Sequence, residues 1–329
     1  MVIAPFISIF ASDAAEGVQA KPKDSFSFYI ENDTKKMGGP GTDRSYTNGF
    51  RVSYLFAEDQ IPYWAPPLIN WSDSLQSQLK NSKTNFSFSL GQQIYTPSNT
   101  DITELIADDR PYAGWLYLGF MANFKKSTDS QIVELSLGVI GPESLGEKVQ
   151  NTFHNMVGIP LANGWKNQLP TEPTLQISYQ KRHQFFELRS GNNRYFDAIP
   201  YYGGAIGNVL INAHVGGLIR FGYNLADDFG PTRPSNGDGD SYVDPKISSA
   251  DSSESKSRSY YLIVGVRANA IARNLFLDGS SFRSSPHVTK YPLVGESDVG
   301  FGIQWKDWNL IWRYVTRSPE YEQKSIFNS

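Results

Sequence analysis

Residues 141–155 read G-P-E-S-L-G-E-K-V-Q-N-T-F-H-N. They place Gln150 and His154 four positions apart. A histidine can serve as a general base near neutral pH, and a glutamine one helical turn before it can hydrogen-bond toward the same point. The spacing predicts a short helix. Leu145, Val149 and Phe153 recur every four residues as one apolar stripe, and Glu147, Gln150 and His154 form a polar stripe about 100° round the same cylinder. The plain alternative is a surface helix that packs its Leu/Val/Phe side and leaves the other side to solvent.

Other candidates for chemistry are weaker. There is no G-x-S-x-G: Pro142-Glu-Ser144-Leu-Gly146 begins with proline and precedes a helix, so a serine nucleophile elbow is not expected. His183 and His214 fall in strand-like segments and His287 in a late loop, which suits structural roles. Asn236-Gly-Asp238-Gly-Asp240 starts like a calcium loop but lacks the glycine at the sixth position and the glutamate at the twelfth, so it reads as solvated linker.

The elements that must position the helix read as β-strands. Phe26, Phe28 and Ile30 alternate with Ser25, Ser27 and Tyr29, and Phe50, Val52, Tyr54 and Phe56 with Gly49, Arg51 and Ser53. Phe86, Phe88 and Leu90 continue the habit, as do Leu116, Leu118, Phe120 and Ala122. Further segments are 131–140, 174–188, 195–206, 209–223, 260–272, 298–305 and 308–317. About eleven strands of roughly ten residues, with one apolar face and one rich in Ser, Gly, Gln and Arg, match an antiparallel transmembrane β-barrel of the outer-membrane type. An even number near twelve is then required, and a last strand after residue 317 is expected but not evident. Strand parity puts loops 32–46, 96–110 and 141–172 at one end, and predicts that this end faces outside. Two connections at the other end, 57–84 and 224–259, are long where turns are normally brief.

Composition bounds the rest. The 329 residues carry 40% hydrophobic and 14% aromatic residues and a net charge of −3. There is no basic stripe for nucleic acid. The absence of cysteine excludes disulfides and thiolate-held metals. Residues 2–11 are apolar, and Val18-Gln19-Ala20 resembles a small-x-small cleavage site. Residues 1–20 therefore read as a secretory signal, clipped of its positive start, ahead of a single barrel domain over 21–329.

Four motifs in order carry a resemblance. Glu31-Asn32-Asp33 closes the first predicted strand, and Thr42-Asp-Arg-Ser-Tyr-Thr-Asn-Gly49 ends the first loop. Asp108-Asp-Arg-Pro-Tyr-Ala-Gly-Trp-Leu-Tyr117 ends the second, and G-P-E-S-L-G-E-K-V-Q-N-T-F-H forms the helix. Together with Phe196-Asp197, Leu277-Asp-Gly279 and Thr316-Arg317, the chain from about residue 24 to 321 resembles the outer-membrane lipid A 3'-O-deacylases (LpxR-like).

The resemblance implies a twelve-stranded barrel in the outer membrane of a Gram-negative bacterium. Its calcium-dependent site would hydrolyse the 3'-linked acyloxyacyl chain of lipid A in the outer leaflet. It assigns His154 as the general base that activates water, Gln150 as the site glutamine, Asn32 and Asp33 as the pair at the calcium site, and Thr47 as the site threonine. Arg110 matches a basic residue near the lipid A phosphates, while Asp109 stands where some members have lysine. The chemistry agrees: calcium takes oxygen ligands, a bound cation stabilises a developing oxyanion, and an arginine fork suits a phosphate. Asn32 shares the parity of Phe26, Phe28 and Ile30, which favours a site opening on the barrel wall. Lipopolysaccharide is the implied partner, with no obligate protein partner. The alternatives are a non-catalytic barrel of the same fold and a hydrolase of another outer-membrane lipid, such as a phospholipase.

Overall fold

The computed structural model describes residues 2–10, 24–33, 48–65, 77, 81–191, 193–233, 258–305 and 308–322. Its strands are β1 (Val2–Phe10), β2 (Ser25–Asp33), β3 (Asn48–Leu55), β4 (Lys83–Tyr95), β5 (Ala113–Lys125) and β6 (Asp129–Ile140). They continue as β7 (Glu172–His183), β8 (Phe186–Ser190), β9 (Asn193–Gly207), β10 (Leu210–Tyr223), β11 (Arg258–Asn274), β12 (Leu293–Trp305) and β13 (Trp308–Arg317). Helix α1 (Gly146–Val157) lies between β6 and β7, and one short turn of helix, α2 (Leu275–Asp278), follows β11.

Each neighbouring pair is antiparallel, and β9 pairs with β10 to close the ring. β7 and β8 run in succession along β9, offset by one residue, so they are a single bent strand and the ring has twelve positions. Closure pairs the two edges of the sheet with each other, the arrangement in which spanning strands satisfy their backbone groups on one another.

The alternation seen in the sequence sorts the two faces. Phe28, Val52, Leu90, Leu118, Leu137 and Leu175 form one unbroken cross-strand row on the outside, all but half-buried Val52 being exposed. The inside is charged and filled. Arg51 donates twice to Glu134 at 2.8 and 2.7 Å, and Arg220 grips Asp197 at 3.0 and 2.6 Å. Arg313 does the same to Asp298 at 2.9 and 2.6 Å. Such pairs survive burial because two charge-assisted hydrogen bonds join each guanidinium to its carboxylate, through both oxygens of Glu134 and Asp197 and through Oδ2 of Asp298.

Val2–Phe10, part of the apolar run read as a secretory leader, forms a strand between β13 and β2 and takes the position that the sequence left open after β13. An apolar run of this length suits a leader core and a lipid-facing strand alike, so composition alone does not separate them. The long connection after β10 begins inside the ring. Residues 225–233 turn into the lumen, where Arg220 meets Asp228 at 2.6 Å, Arg182 donates to the Gly230 carbonyl at 2.9 Å, and Arg233 meets Glu296 at 3.0 Å. The Asn236–Asp240 run lies outside the described residues.

Candidate active site on the outer wall

Gly141 starts the site loop with φ +96°, where a side chain would also strike the Thr171 backbone at 2.7 Å. Pro142 then opens a turn of 3-10 helix, for which its fixed φ is suited. Ser144 is fully buried and donates its hydroxyl to the Gly141 carbonyl at 2.6 Å. Its own carbonyl accepts from Gln92 at 2.5 Å. It is a structural serine, as the missing nucleophile elbow implied. Glu143 takes a hydrogen bond from the Thr171 hydroxyl, which holds this exposed carboxyl below its ordinary range and ties the turn to the start of β7.

Helix α1 follows, and it is turned the opposite way from a surface helix. Gly146, Gln150 and His154 form its buried line, whereas Leu145, Val149, Phe153, Met156 and Val157 are exposed. Glu147, expected in the polar stripe, is exposed too, so the stripe that matters is Gly146-Gln150-His154 at a spacing of four. The helix packs against β4 and β5. Gly146 and Gly114 make this approach feasible: a Cβ on Gly146 would lie 3.1 Å from the Gly114 Cα and 2.8 Å from the Trp165 ring.

The wall beneath is the outer one. Asn32 pairs with Asn48, Asn48 with Ile94, and Ile94 with Gly114, one row on the same face as Phe26, Phe28 and Ile30. Asn32 therefore shares the outer rim with the strands on which α1 rests, three strand spacings or roughly 14 Å along the row. Ile94, Tyr112, Ala162 and Trp165 make the small apolar core under the helix. Asp33 ends β2, and its side chain is not described; Thr47 lies outside the described residues.

The two polar groups of α1 are both oriented. The Trp165 indole N–H donates to Gln150 Oε1 at 2.8 Å. This fixes the amide so that Nε2 points the other way, buried and without a partner among the described residues. His154 Nδ1 lies 2.6 Å from the Pro160 carbonyl. A carbonyl only accepts, so Nδ1 carries the proton and Nε2 is the basic nitrogen of the neutral ring. Among the described residues no three His, Asp or Glu side chains gather into a metal cluster.

Arg110 is not at the surface. It is 1% exposed, donates to Glu320 at 2.9 Å, and lies over the rings of Tyr95 and Tyr321. The guanidinium that the resemblance assigns to the lipid A phosphates is thus paired with Glu320 and stacked on two rings in this structure. Asp109 accepts from Tyr321 at 2.5 Å and from Ser98. The matches at Asp197 and Arg317 likewise serve lumen ion pairs. His214 is buried beside Gln180, His183 meets Asp129 at 3.2 Å, and His287 sits on an exposed loop, so none of them joins the site.

Sequence reasoning missed Trp165 and the Pro160 carbonyl. A tryptophan in a polar loop was the available signal for the first, and a backbone acceptor carries none.

The model of the family "Outer membrane protein LpxR" matches residues 1–328. The solved structure of LpxR from Salmonella typhimurium aligns with a TM-score of 0.67 at 17% identity, covering 98% of this chain and 95% of that one, a likeness of fold. No curated protein sequence matches the chain. A closed twelve-position barrel with an apolar exterior, and a family model that spans it from end to end, place this chain in the LpxR family of outer-membrane proteins.

Proposed function

We propose that this chain hydrolyses the ester that links the 3' acyloxyacyl chain to lipid A in the outer leaflet of the outer membrane, with His154 as general base. The observation that carries the reading is the Nδ1 contact to the Pro160 carbonyl, 2.6 Å long, on a helix whose polar line faces the lipid-exposed wall. The base is held in one tautomer at the place where a membrane lipid arrives from the side. Membership of the family supports the substrate class and the outer-membrane location.

In this reading His154 Nε2 takes a proton from water as the water oxygen attacks the ester carbonyl. The bond from that carbon to the 3' oxygen then breaks. The imidazolium returns the proton to the departing sugar oxygen, leaving a 3' hydroxyl and a free acyloxyacyl acid. The Gln150 Nε2 group, oriented by Trp165 and otherwise unpartnered, is a hydrogen-bond donor for the carbonyl oxygen. Asn32 and Asp33, at the end of β2, are the residues that would hold a calcium ion through side-chain oxygens, with most of its shell left to backbone, water or substrate oxygens. A calcium ion there would supply electrostatic stabilisation of the developing oxyanion. Thr47 remains a proposed site residue by its place in the first loop. With Arg110 enclosed, Lys148 and Lys166 are exposed cations beside α1 that suit lipid A phosphates.

The test is mass spectrometry of lipid A from a bacterium that lacks such an enzyme and expresses this chain. Loss of the 3' acyloxyacyl mass with the wild type, but not with His154→Ala or after chelation of calcium, is the expected result. Unchanged lipid A, with the wild type shown to be folded in the membrane, would refute the reading. Equal activity from His154→Ala would refute the assigned base.

A further inference from the structure

The chain leaves α1 through Gly158, whose φ of +72° reverses its direction, and runs back alongside the helix. Its anchors include contacts to both oriented polar groups. Ile159 N–H donates to the His154 carbonyl at 3.0 Å, and the next residue supplies the Pro160 carbonyl that receives His154 Nδ1. Two residues on, the Asn151 side chain brackets a single residue. Its Oδ1 accepts from Ala162 N–H at 2.9 Å, and its Nδ2 donates to the Ala162 carbonyl at 3.3 Å. Asn163 then donates its N–H to the Thr100 carbonyl at 2.9 Å, and Trp165 reaches Gln150 while leaning on Tyr112, ring centroids 5.0 Å apart.

Asn151 ties this segment back to the helix through both the N–H and the carbonyl of Ala162, and it lies three positions before His154. Without the Ala162 anchor, the Pro160 carbonyl would be held only from Ile159 on one side and from Asn163 on the other. Anchored at Ala162, two residues on, it has less freedom to move. Trp165 does the corresponding work for the amide of Gln150, because only a donor on that side keeps Oε1 turned inward.

Resting on the deacylase reading, we infer that Asn151 and Trp165 are positioning residues: Asn151 fixes the tautomer of His154 through the Pro160 carbonyl, and Trp165 fixes the amide of Gln150. Neither touches substrate. Their loss lowers the rate at which bound substrate reacts and leaves binding alone, since misplacing a reacting group by about 1 Å costs on the order of 100-fold.

The variants are Asn151→Ala and Trp165→Phe. Alanine is the better helix former, so the first does not weaken α1 itself. Phenylalanine keeps one aromatic ring for the Tyr112 contact and removes the indole N–H together with part of the ring volume. Both are expected to migrate as folded, heat-modifiable barrels, with kcat down about 10- to 100-fold and KM within about 2-fold. A second readout needs no activity. In ring-labelled protein, the histidine signal absent from His154→Ala should report a proton on Nδ1 in the wild type and a mixture of tautomers in Asn151→Ala.

Wild-type kcat in both variants, or a change confined to KM, overturns the inference, as does an unaltered His154 tautomer in Asn151→Ala. Wild-type activity in Trp165→Phe alone reduces Trp165 to packing and overturns its half. A tautomer that responds to Asn151→Ala in a protein that deacylates nothing would sink the proposed function and leave the positioning intact.

Discussion

Arg110, the residue before Pro111 and β5, is joined at 2.9 Å to Glu320, three positions after the end of β13. The neighbouring pair, Asp109 and Tyr321, closes at 2.5 Å. Two adjacent residues of one loop thus grip two adjacent residues of another, with Tyr95 and Tyr321 under the guanidinium. The D-D-R-P-Y motif is a latch across the barrel mouth in this chain. Through Tyr112 it also supports Trp165 and the base of α1.

Arg110→Ala should therefore act on stability and not on substrate recognition. Removing one partner of a buried ion pair costs about 3–5 kcal/mol, and the nearby Arg317, 3.3 Å from Glu320, places the loss toward the lower end. A fall in the thermal midpoint of the heat-modifiable barrel, with KM for lipid A unchanged in the folded protein, is the expected result. A KM that rises only for the phosphorylated lipid would restore the phosphate contact.

The same pair gives the mouth a dependence on acid. Burial raises the Glu320 carboxyl, but Arg317 and Arg110 lower it by more, so its pKa in the fold lies below the ordinary value. A carboxyl depressed in this way stabilises the fold above its unfolded pKa, about 4.3, and that contribution fades as pH falls through the folded value. Glu320→Gln should unfold more readily than wild type at pH 7, and the gap should narrow below about pH 4. A gap that is constant with pH would mean that the charge of Glu320 does not act.

The wall was legible in the sequence because period-two alternation needs no knowledge of partners: all eleven segments are strands, and Phe26, Phe28 and Ile30 do face outward. The helix was legible by its period, but its direction was not. Leu145, Val149 and Phe153 look like a core stripe, and only the surrounding lipid belt makes exposure their natural state. The burial of Arg110 was not legible because a motif gives residue type and order, while burial depends on Glu320, 210 positions away. The tautomer of His154 rests on a backbone oxygen, to which side-chain identity is blind.

Close approach of α1 to the wall depends on two missing Cβ atoms. Gly146→Ala would bring its Cβ to 3.1 Å from the Gly114 Cα and 2.8 Å from the Trp165 ring, and backbone cannot give way as a side-chain tip can. The helix must lift or tilt, and the Trp165–Gln150 and Gln92–Ser144 hydrogen bonds lengthen with it. Deacylation should fall by about 10-fold or more while the barrel remains folded, since the substitution lies outside the ring of strands. Wild-type activity in Gly146→Ala would show that α1 tolerates a wider seat.

The exposed apolar side of α1 continues the outer belt of the barrel, which suits a helix lying in the boundary between headgroups and acyl chains. Val149 and Phe153 are 37% and 43% exposed, so a charge there meets lipid and displaces no protein core. At such shallow depth an acidic residue costs about 0–1 kcal/mol, too little to unfold the barrel but enough to loosen the contact of the helix with the lipid. Val149→Asp and Phe153→Asp, combined, should deacylate lipid A in detergent micelles at close to the wild-type rate and lipid A in vesicles several-fold more slowly. Equal losses in both media would mean that this face packs on something other than lipid.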